Sequence, residues 1–384
     1  MNKRLLWLFL VLIFFPSALR AQDARGMAIG YAVSAAPLGI FGLYWNPALE
    51  AVPDGGGSWD IASGFSAFDT SNTNSAILRF SPANSIQSGQ DPVQRLQEYS
   101  GLFGVQYGSL SFGVIYDQNL NYTASQGALA LFNDRSNNAV TAGSSYNLNY
   151  LQTTQQIETF ILSYAMPLPL SSFQFLSVGG SLKYHYGTQY TQTSLTGTYT
   201  QGAPSGTGYQ YTEISSTSGL GLSMDLGLYA KISDMLNVGL MIQNIQSNYN
   251  WQAQQQNYTL DPTTGQDVLS GPSSSVTVVQ PFPYTTKLGI AIAPPDKNTF
   301  LEAEVSWVNQ TTHWKAGMER YYPGGLVIRL GTFADDISGQ QLWTFGAGYF
   351  NSNFSLDLAG ITRSVPDLQD SVALGGGIDV SVRF

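Results

Sequence analysis

Two histidines, His185 and His313, are the only side chains here that ordinarily serve as general bases near neutral pH, and they stand far apart in the sequence. His185 has Ser181 and Ser194 within reach along the chain, so a His–Ser hydrolytic pair is the one nucleophilic arrangement available. A histidine in a polar wall explains the same residues more simply. No HExxH, GxSxG or P-loop pattern occurs. Cysteine is absent, which removes thiolate metal sites, a disulfide framework and a lipoprotein anchor. Carboxylates in "DPTTGQD" (Asp261 to Asp267) and at Asp335 and Asp336 have some calcium-loop character, but the same residue types make ordinary turns. The chain is expected not to be an enzyme and to carry no cofactor and no metal.

What positions the remaining charges is a period of two. From Ser58 onward apolar and polar residues alternate, and helical periodicity is nearly lost. In "ALGGGIDVSVRF" Leu374, Ile378, Val380, Val382 and Phe384 share one face, while Asp379, Ser381 and Arg383 share the other. The pattern predicts about fourteen strands, at 58–69, 101–107, 110–118, 156–167, 174–187, 218–231, 236–246, 284–294, 298–308, 313–321, 325–333, 341–350, 353–361 and 372–384. "NSAILRF" (Asn74 to Phe80) also alternates and is assigned to the first loop or to a strand extension.

Every second connection is short, and the connections at 119–155, 188–217 and 247–283 run to roughly thirty residues. Short turns at one end and long loops at the other predict an all-β, transmembrane antiparallel β-barrel of about fourteen strands. A secreted β-sandwich or β-helix also alternates, without that two-ended asymmetry. The inward face then carries Lys183, His185, Asp225, Glu302, Glu304, Lys315, Glu319, Arg329, Asp357, Asp379 and Arg383. Aromatics near strand ends, among them Trp307, Trp314, Tyr321 and Tyr322, form interfacial girdles. The terminal Phe384, with apolar residues at every second position before it, is the expected signal for the barrel-assembly machinery.

The remaining bulk properties agree. "MNKRLLWLFLVLIFFPSALRAQ" has a basic start at Lys3 and Arg4, an apolar run from Leu5 to Phe15, and a small-residue exit. It predicts a signal peptide over 1–21. Charged residues are 11% of the chain, against about 25% in average soluble domains. The net charge of −9 argues against nucleic acid as a partner. Expected partners are the lipid bilayer of the outer membrane, the assembly machinery, and a hydrophobic small molecule or an exported protein.

Between the leader and the first strand lies "ARGMAIGYAVSAAPLGIFGLYWNPAL" (Ala24 to Leu49). It lacks periodicity, is rich in Gly and Ala, and could thread a narrow lumen. Its Asn46-Pro47 step disfavours helix and redirects the chain. A disordered lead-in is the plainer reading, but its apolar content argues against that. With Ala24, Arg25, Gly26, Gly30, Tyr44, Trp45, Asn46, Pro47 and Ala48 the stretch resembles the N-terminal segment of the FadL superfamily of outer-membrane barrels. That superfamily includes long-chain fatty-acid and hydrocarbon transporters and PorV-like barrels of type IX secretion. "HWKAGMERYY" and "GGLVIRLGTF" are similar to the PorV-like branch. The resemblance implies that residues 22–57 form a hatch inside a barrel over 58–384. Here Pro37, Leu38 and Gly39 stand where relatives often carry an acidic pair and Ala.

The resemblance also implies a greasy capture groove among the extracellular loops. Leu129, Leu131 and Phe132 in "ALALF" are candidates for it, together with Leu96 and Phe103. "DPVQRLQEY" (Asp91 to Tyr99) predicts a short helix capped by Asp91, with Pro92 at its first position. These apolar residues could equally pack the loops onto one another. Three functions follow: passive uptake of a hydrophobic molecule past the hatch, PorV-like attachment of exported proteins or a secretion machine without transport, or a polar porin. A plug argues against the last.

Overall fold

The computed structural model describes residues 23–36, 39–52, 59–71, 91–202, 209–260, 267–296, 298–308, 311–334, 341–362 and 373–384. The leader, the segment from Asn74 to Phe80, Asp335 and Asp336, and Asp261 to Gln266 lie outside these residues. Among the described residues seventeen strands join in one antiparallel sheet, and fourteen of them close a barrel through pairing of the first with the last.

The wall runs through β1 (Trp59–Ser71), β2 (Val93–Tyr107), β3 (Leu110–Ala124), β4 (Ser145–Pro167) and β5 (Phe175–Thr200). It continues through β7 (Gly219–Ser233), β8 (Leu236–Leu260), β11 (Thr285–Ile292), β12 (Thr299–Val308) and β13 (Thr311–Tyr321). It ends with β14 (Leu326–Ala334), β15 (Gln341–Phe350), β16 (Phe354–Thr362) and β17 (Ala373–Arg383). Three more strands, β6 (Gln210–Ser216), β9 (Asp267–Leu269) and β10 (Ser274–Val279), pair only above the wall.

Alternation decides the two faces. On β7 Ser223 and Asp225 are buried, whereas Leu222, Met224 and Leu226 are 40–55% exposed. The apolar set points outward, where hydrocarbon replaces water, and closure leaves no edge for lipid to meet. Trp59 and Tyr107 stack at 4.7 Å on the short-turn end, beside the final residue: Phe384 exchanges backbone hydrogen bonds with Trp59.

Strand lengths are unequal. β11 to β17 have 8–11 residues, about the 9–11 that a tilted strand needs to cross a bilayer. β4, β5 and β8 have 23, 26 and 25 and rise well beyond it. This corrects the expected loops, because strands continue to Ala124, Thr200 and Leu260 and resume at Ser145. The tips are rich in Thr, Gln, Asn and Tyr, and what they bury is largely aromatic, Tyr199, Tyr249 and Trp251 among it, so few aliphatic residues mark their alternation.

A second correction concerns Asp91 to Tyr99, which forms no helix. From Val93 the segment is strand, with Val93 opposite Ala124 and Leu96 opposite Thr70. Two neighbouring strands offer its backbone more hydrogen bonds than one isolated turn of helix could. The helix beyond β3 is instead α3 (Gln126–Ser136), capped by the Ser125 hydroxyl accepting from the Ala128 amide.

Candidate functional site: the segment inside the barrel

Residues 23–36 and 39–52 occupy the lumen as short turns. These are α1 (Ala24–Ala28), a 3-10 turn Gly39–Phe41, α2 (Gly42–Trp45) and a second 3-10 turn Pro47–Ala51. The Asp23 carboxylate caps α1 by accepting from the Gly26 amide. Asn46 is extended, as its following proline demands, and its side chain caps the last turn through the Ala48 amide at 3.1 Å. Gly30 and Tyr31 both have positive φ, +65° and +61°. A side chain on Gly30 would collide with the backbone of Thr332.

Close approach is repeated around the wall at several inward-facing glycines. A Cβ on Gly179 would sit 2.5 Å from the Ala48 amide nitrogen. One on Gly227 would strike Asn46, on Gly239 Ser34, on Gly317 Ile29, on Gly331 Gly30, and on Gly346 Ala28. The wall is thinned along the path of the segment.

Apolar contact supplies most of the attraction. Met27, Ile29, Tyr31, Val33, Ile40, Phe41, Leu43 and Trp45 form one buried cluster with inward residues such as Phe68, Leu102, Ile115, Ile161, Leu342 and Ile361. Each large apolar side chain so buried is worth about 1.5–3 kcal/mol, whereas a buried ion pair roughly breaks even against its desolvation. The polar contacts therefore set position more than strength.

Those contacts involve residues on many sides of the lumen. Arg25 donates to Glu319 through Nε (2.8 Å) and Nη2 (2.6 Å). Arg329 donates to Glu319 and to Asp357, both at 2.6 Å. The Ala24 amide donates to Asp379, and Trp45 Nε1 to Asp23. Ser34 donates to Glu304 through its amide (3.1 Å) and hydroxyl, and Lys315 holds the other oxygen of Glu304 at 2.9 Å. Asn46 donates to the carbonyls of Ser34 and Leu228, Tyr44 to that of Phe103, and Ser177 accepts its place by donating to Ala48 O at 2.7 Å. Among the described residues of the segment, Asp23, Arg25, Ser34 and Asn46 carry side-chain polar contacts; Pro37 and Leu38 lie outside the described residues.

The sequence-predicted inward charges are all found on the inner face, and they divide into groups. Glu304, Lys315, Glu319, Arg329, Asp357 and Asp379 surround the segment. Lys183 pairs with Asp225 at 2.5 Å, and Arg383 donates to Asp60 at 3.2 Å. His185 is bracketed by Thr159 (2.9 Å) and Ser223 (2.8 Å), with Phe282 against its ring; Ser181 and Ser194 are not its partners in these bonds. Glu302 is buried on the same face.

Lys287, its ammonium 5.0 Å from the Trp45 ring, was missed by the sequence reading. The alternation of Thr285, Lys287 and Gly289 against Leu288 and Ile290 carried the signal. Asp23 and Glu50 were also missed, and no periodicity marks them.

The five proposed capture residues do not form one groove. Leu129 packs on Val93, Tyr122 and Ala124, and Leu131 on Tyr146, Leu148 and Tyr199. Phe132 meets Tyr150 edge-on at 5.0 Å. By alternation Tyr122 and Ala124 point opposite to Ile115 and Asn119, so α3 clasps the outer face of the raised strand tips. Leu96 and Phe103 lie down the wall on β2.

Comparison with known proteins follows the same lines. No family model and no curated sequence matches the chain. Solved structures do. The deltaS2S3 mutant of the monoaromatic hydrocarbon channel TodX superposes with a TM-score of 0.61 at 14% identity, covering 97% of this chain and 100% of that one. The Ralstonia pickettii toluene transporter TbuX gives 0.59 at 13%, covering 95% and 99%. A Pseudomonas aeruginosa FadL homologue gives 0.55 at 13%, covering 96% and 98%. The chain has the fold of these FadL-type channels. The expected architecture, fourteen strands around an inserted N-terminal segment, is what the structure contains.

Proposed function

We propose that the protein admits small hydrophobic molecules through the outer membrane, and that residues 24–49 are the obstruction that must shift for passage. The observation that carries this reading is the apolar seam between the segment and the wall, running through Ile40, Leu43, Leu102, Ile115 and Ile161. It is one buried apolar cluster in a lumen whose lining elsewhere is largely polar and charged. A hydrophobic solute gains there what it loses by leaving lipid, and a porin for polar solutes has no use for it. The toluene and hydrocarbon channels of the same fold support the solute class. The test uses the absence of native cysteine. A Cβ on Gly289 would lie 3.5 Å from that of Ala35, within the usual span of a disulfide. The double variant Ala35→Cys/Gly289→Cys should block toluene entry into proteoliposomes when oxidised and recover it on reduction. Equal entry in both states rejects movement of the hatch.

The number of polar fastenings favours a second reading, a permanent plug in a barrel that attaches exported proteins at the surface. On that reading the tether changes nothing, and wild-type protein admits no more toluene than empty liposomes.

A further inference from the structure

The outer face has one depression that the strand register explains. Across β4, β5, β7 and β8 the outward row Tyr164, Gly180, Leu226 and Ile242 lies side by side. Gly180 leaves a gap between Tyr164 and Leu226, which stand 57% and 55% exposed. The row beneath, Met166, Val178, Leu228 and Leu240, closes the floor. The result is a groove of about 440 Å³, inside the roughly 300–1,000 Å³ range of small-molecule sites. Apart from the Tyr164 hydroxyl its side chains are wholly apolar.

We propose that this groove seats one acyl chain of a phospholipid from the periplasmic leaflet. Its rims belong to the apolar outer face, so the only solvent that reaches it in a membrane is hydrocarbon. Its depth in the wall fixes the leaflet. Met166 stands two residues before the connection at 168–174, and Leu228 and Leu240 lie six and five residues from the tight turn joining β7 to β8. Those short connections mark the periplasmic end of such barrels. A chain entering from that leaflet meets the groove near its own headgroup region, whereas one from the outer leaflet would have to cross the midplane.

The opposite side of the wall gives the site a purpose. Gly179 and Gly227, next to Gly180 and Leu226, face inward and touch Pro47, Ala48 and Asn46. Here the wall is one backbone thick, with no side chain from these glycines on either side. A lodged acyl chain supports the thin place from outside as the Pro47–Ala51 turn supports it from within. The inference does not depend on transport, since it holds for a moving hatch and for a fixed plug.

Gly180 allows a clean test, because a Cβ there meets only ordinary contacts, Leu226 Cδ2 at 3.5 Å and Asp225 O at 3.6 Å. Barrel extracted in mild detergent is incubated with dipalmitoyl phosphatidylethanolamine, lipid A or palmitate, and native mass spectra are recorded. Wild type should retain one phosphatidylethanolamine. Gly180→Leu, which fills the groove, should lower that occupancy at least tenfold. Leu330→Ala, on another part of the outer face, should leave it unchanged. If Gly180→Leu fails the gel-shift check for a folded barrel, Gly180→Ala replaces it, with at least a threefold drop expected. Equal retention by wild type and the folded groove variant overturns the proposal, as does retention of lipid A or palmitate in place of phosphatidylethanolamine.

Discussion

Arg25 Nη2 and Glu319 Oε1 lie 2.6 Å apart, joining the inserted segment to strand β13 by an ion pair nearly closed to water. Glu319 also receives Arg329 at 2.6 Å, so one carboxylate answers two guanidinium groups. Removing Arg25 leaves Glu319 still neutralised by Arg329, while removing the carboxylate takes an ion-pair partner from Arg25 and leaves Arg329 with Asp357.

Arg25→Ala should therefore loosen the segment modestly, by about 2 kcal/mol for the lost charge-assisted bonds. Glu319→Gln should cost more, about 3–5 kcal/mol, because it breaks two buried ion pairs from their shared side, those to Arg25 and to Arg329. Protease cleavage within residues 24–49 measures both, and the order Glu319→Gln above Arg25→Ala above wild type is expected. Equal cleavage in all three would show that the pair does not hold the segment.

Gly239→Leu should expel the segment from the β8 side, since even a Cβ there overlaps the Ser34 carbonyl. The barrel itself should still close, because the strand pairing around Gly239 is unaltered. Planar-bilayer recordings should then show a steady ion conductance that wild type lacks, through the charged lumen left behind.

Glu50 gives the pH dependence. Burial pushes its carboxyl up to about 7, against the opposing hydroxyls of Ser163 and Ser111. The folded value lies above the unfolded one, so the docked turn binds the proton more tightly than free chain does. Docking of Pro47–Ala51 is unpenalised below about pH 4.5 and weakens as pH rises through about 7. Hydrogen exchange of the Leu49 and Val52 amides should quicken over that window beyond its intrinsic pH trend. Glu50→Gln should remove the excess.

Leu131→Asp places a charge between α3 and the tips of β4 and β5, where Leu131 is fully buried. The helix should detach and become a protease site, while heat-modifiable migration of the barrel persists. Loss of the whole barrel would show that the raised tips and the wall fold as one unit.

The barrel was legible because lipid imposes alternation: β17 reads Leu374, Ile378, Val380 against Asp379, Ser381 with no exception. The raised tips of β5 and β8 were not legible as strands, because what they bury is largely Tyr and Trp set among Thr, Gln and Asn, and no aliphatic period marks it. Val93 to Tyr99 misled for a related reason. Its helical spacing is local, whereas the pairing with Thr70 and Ala124 that decides its fate is not. The hatch was visible as a motif around Asn46-Pro47, but its path was not. That path is written in single glycines on separate strands, Gly179, Gly239 and Gly331 among them, whose meaning appears only when the backbone they admit is in place.

The inequality of the strands has a consequence for how a molecule arrives. With β4, β5 and β8 more than twice as long as β11 to β16, the described part of the rim is tall on one side and low on the other. For the proposed uptake, that inequality favours a solute already concentrated at the membrane surface on the low side over one dissolved above the tall side.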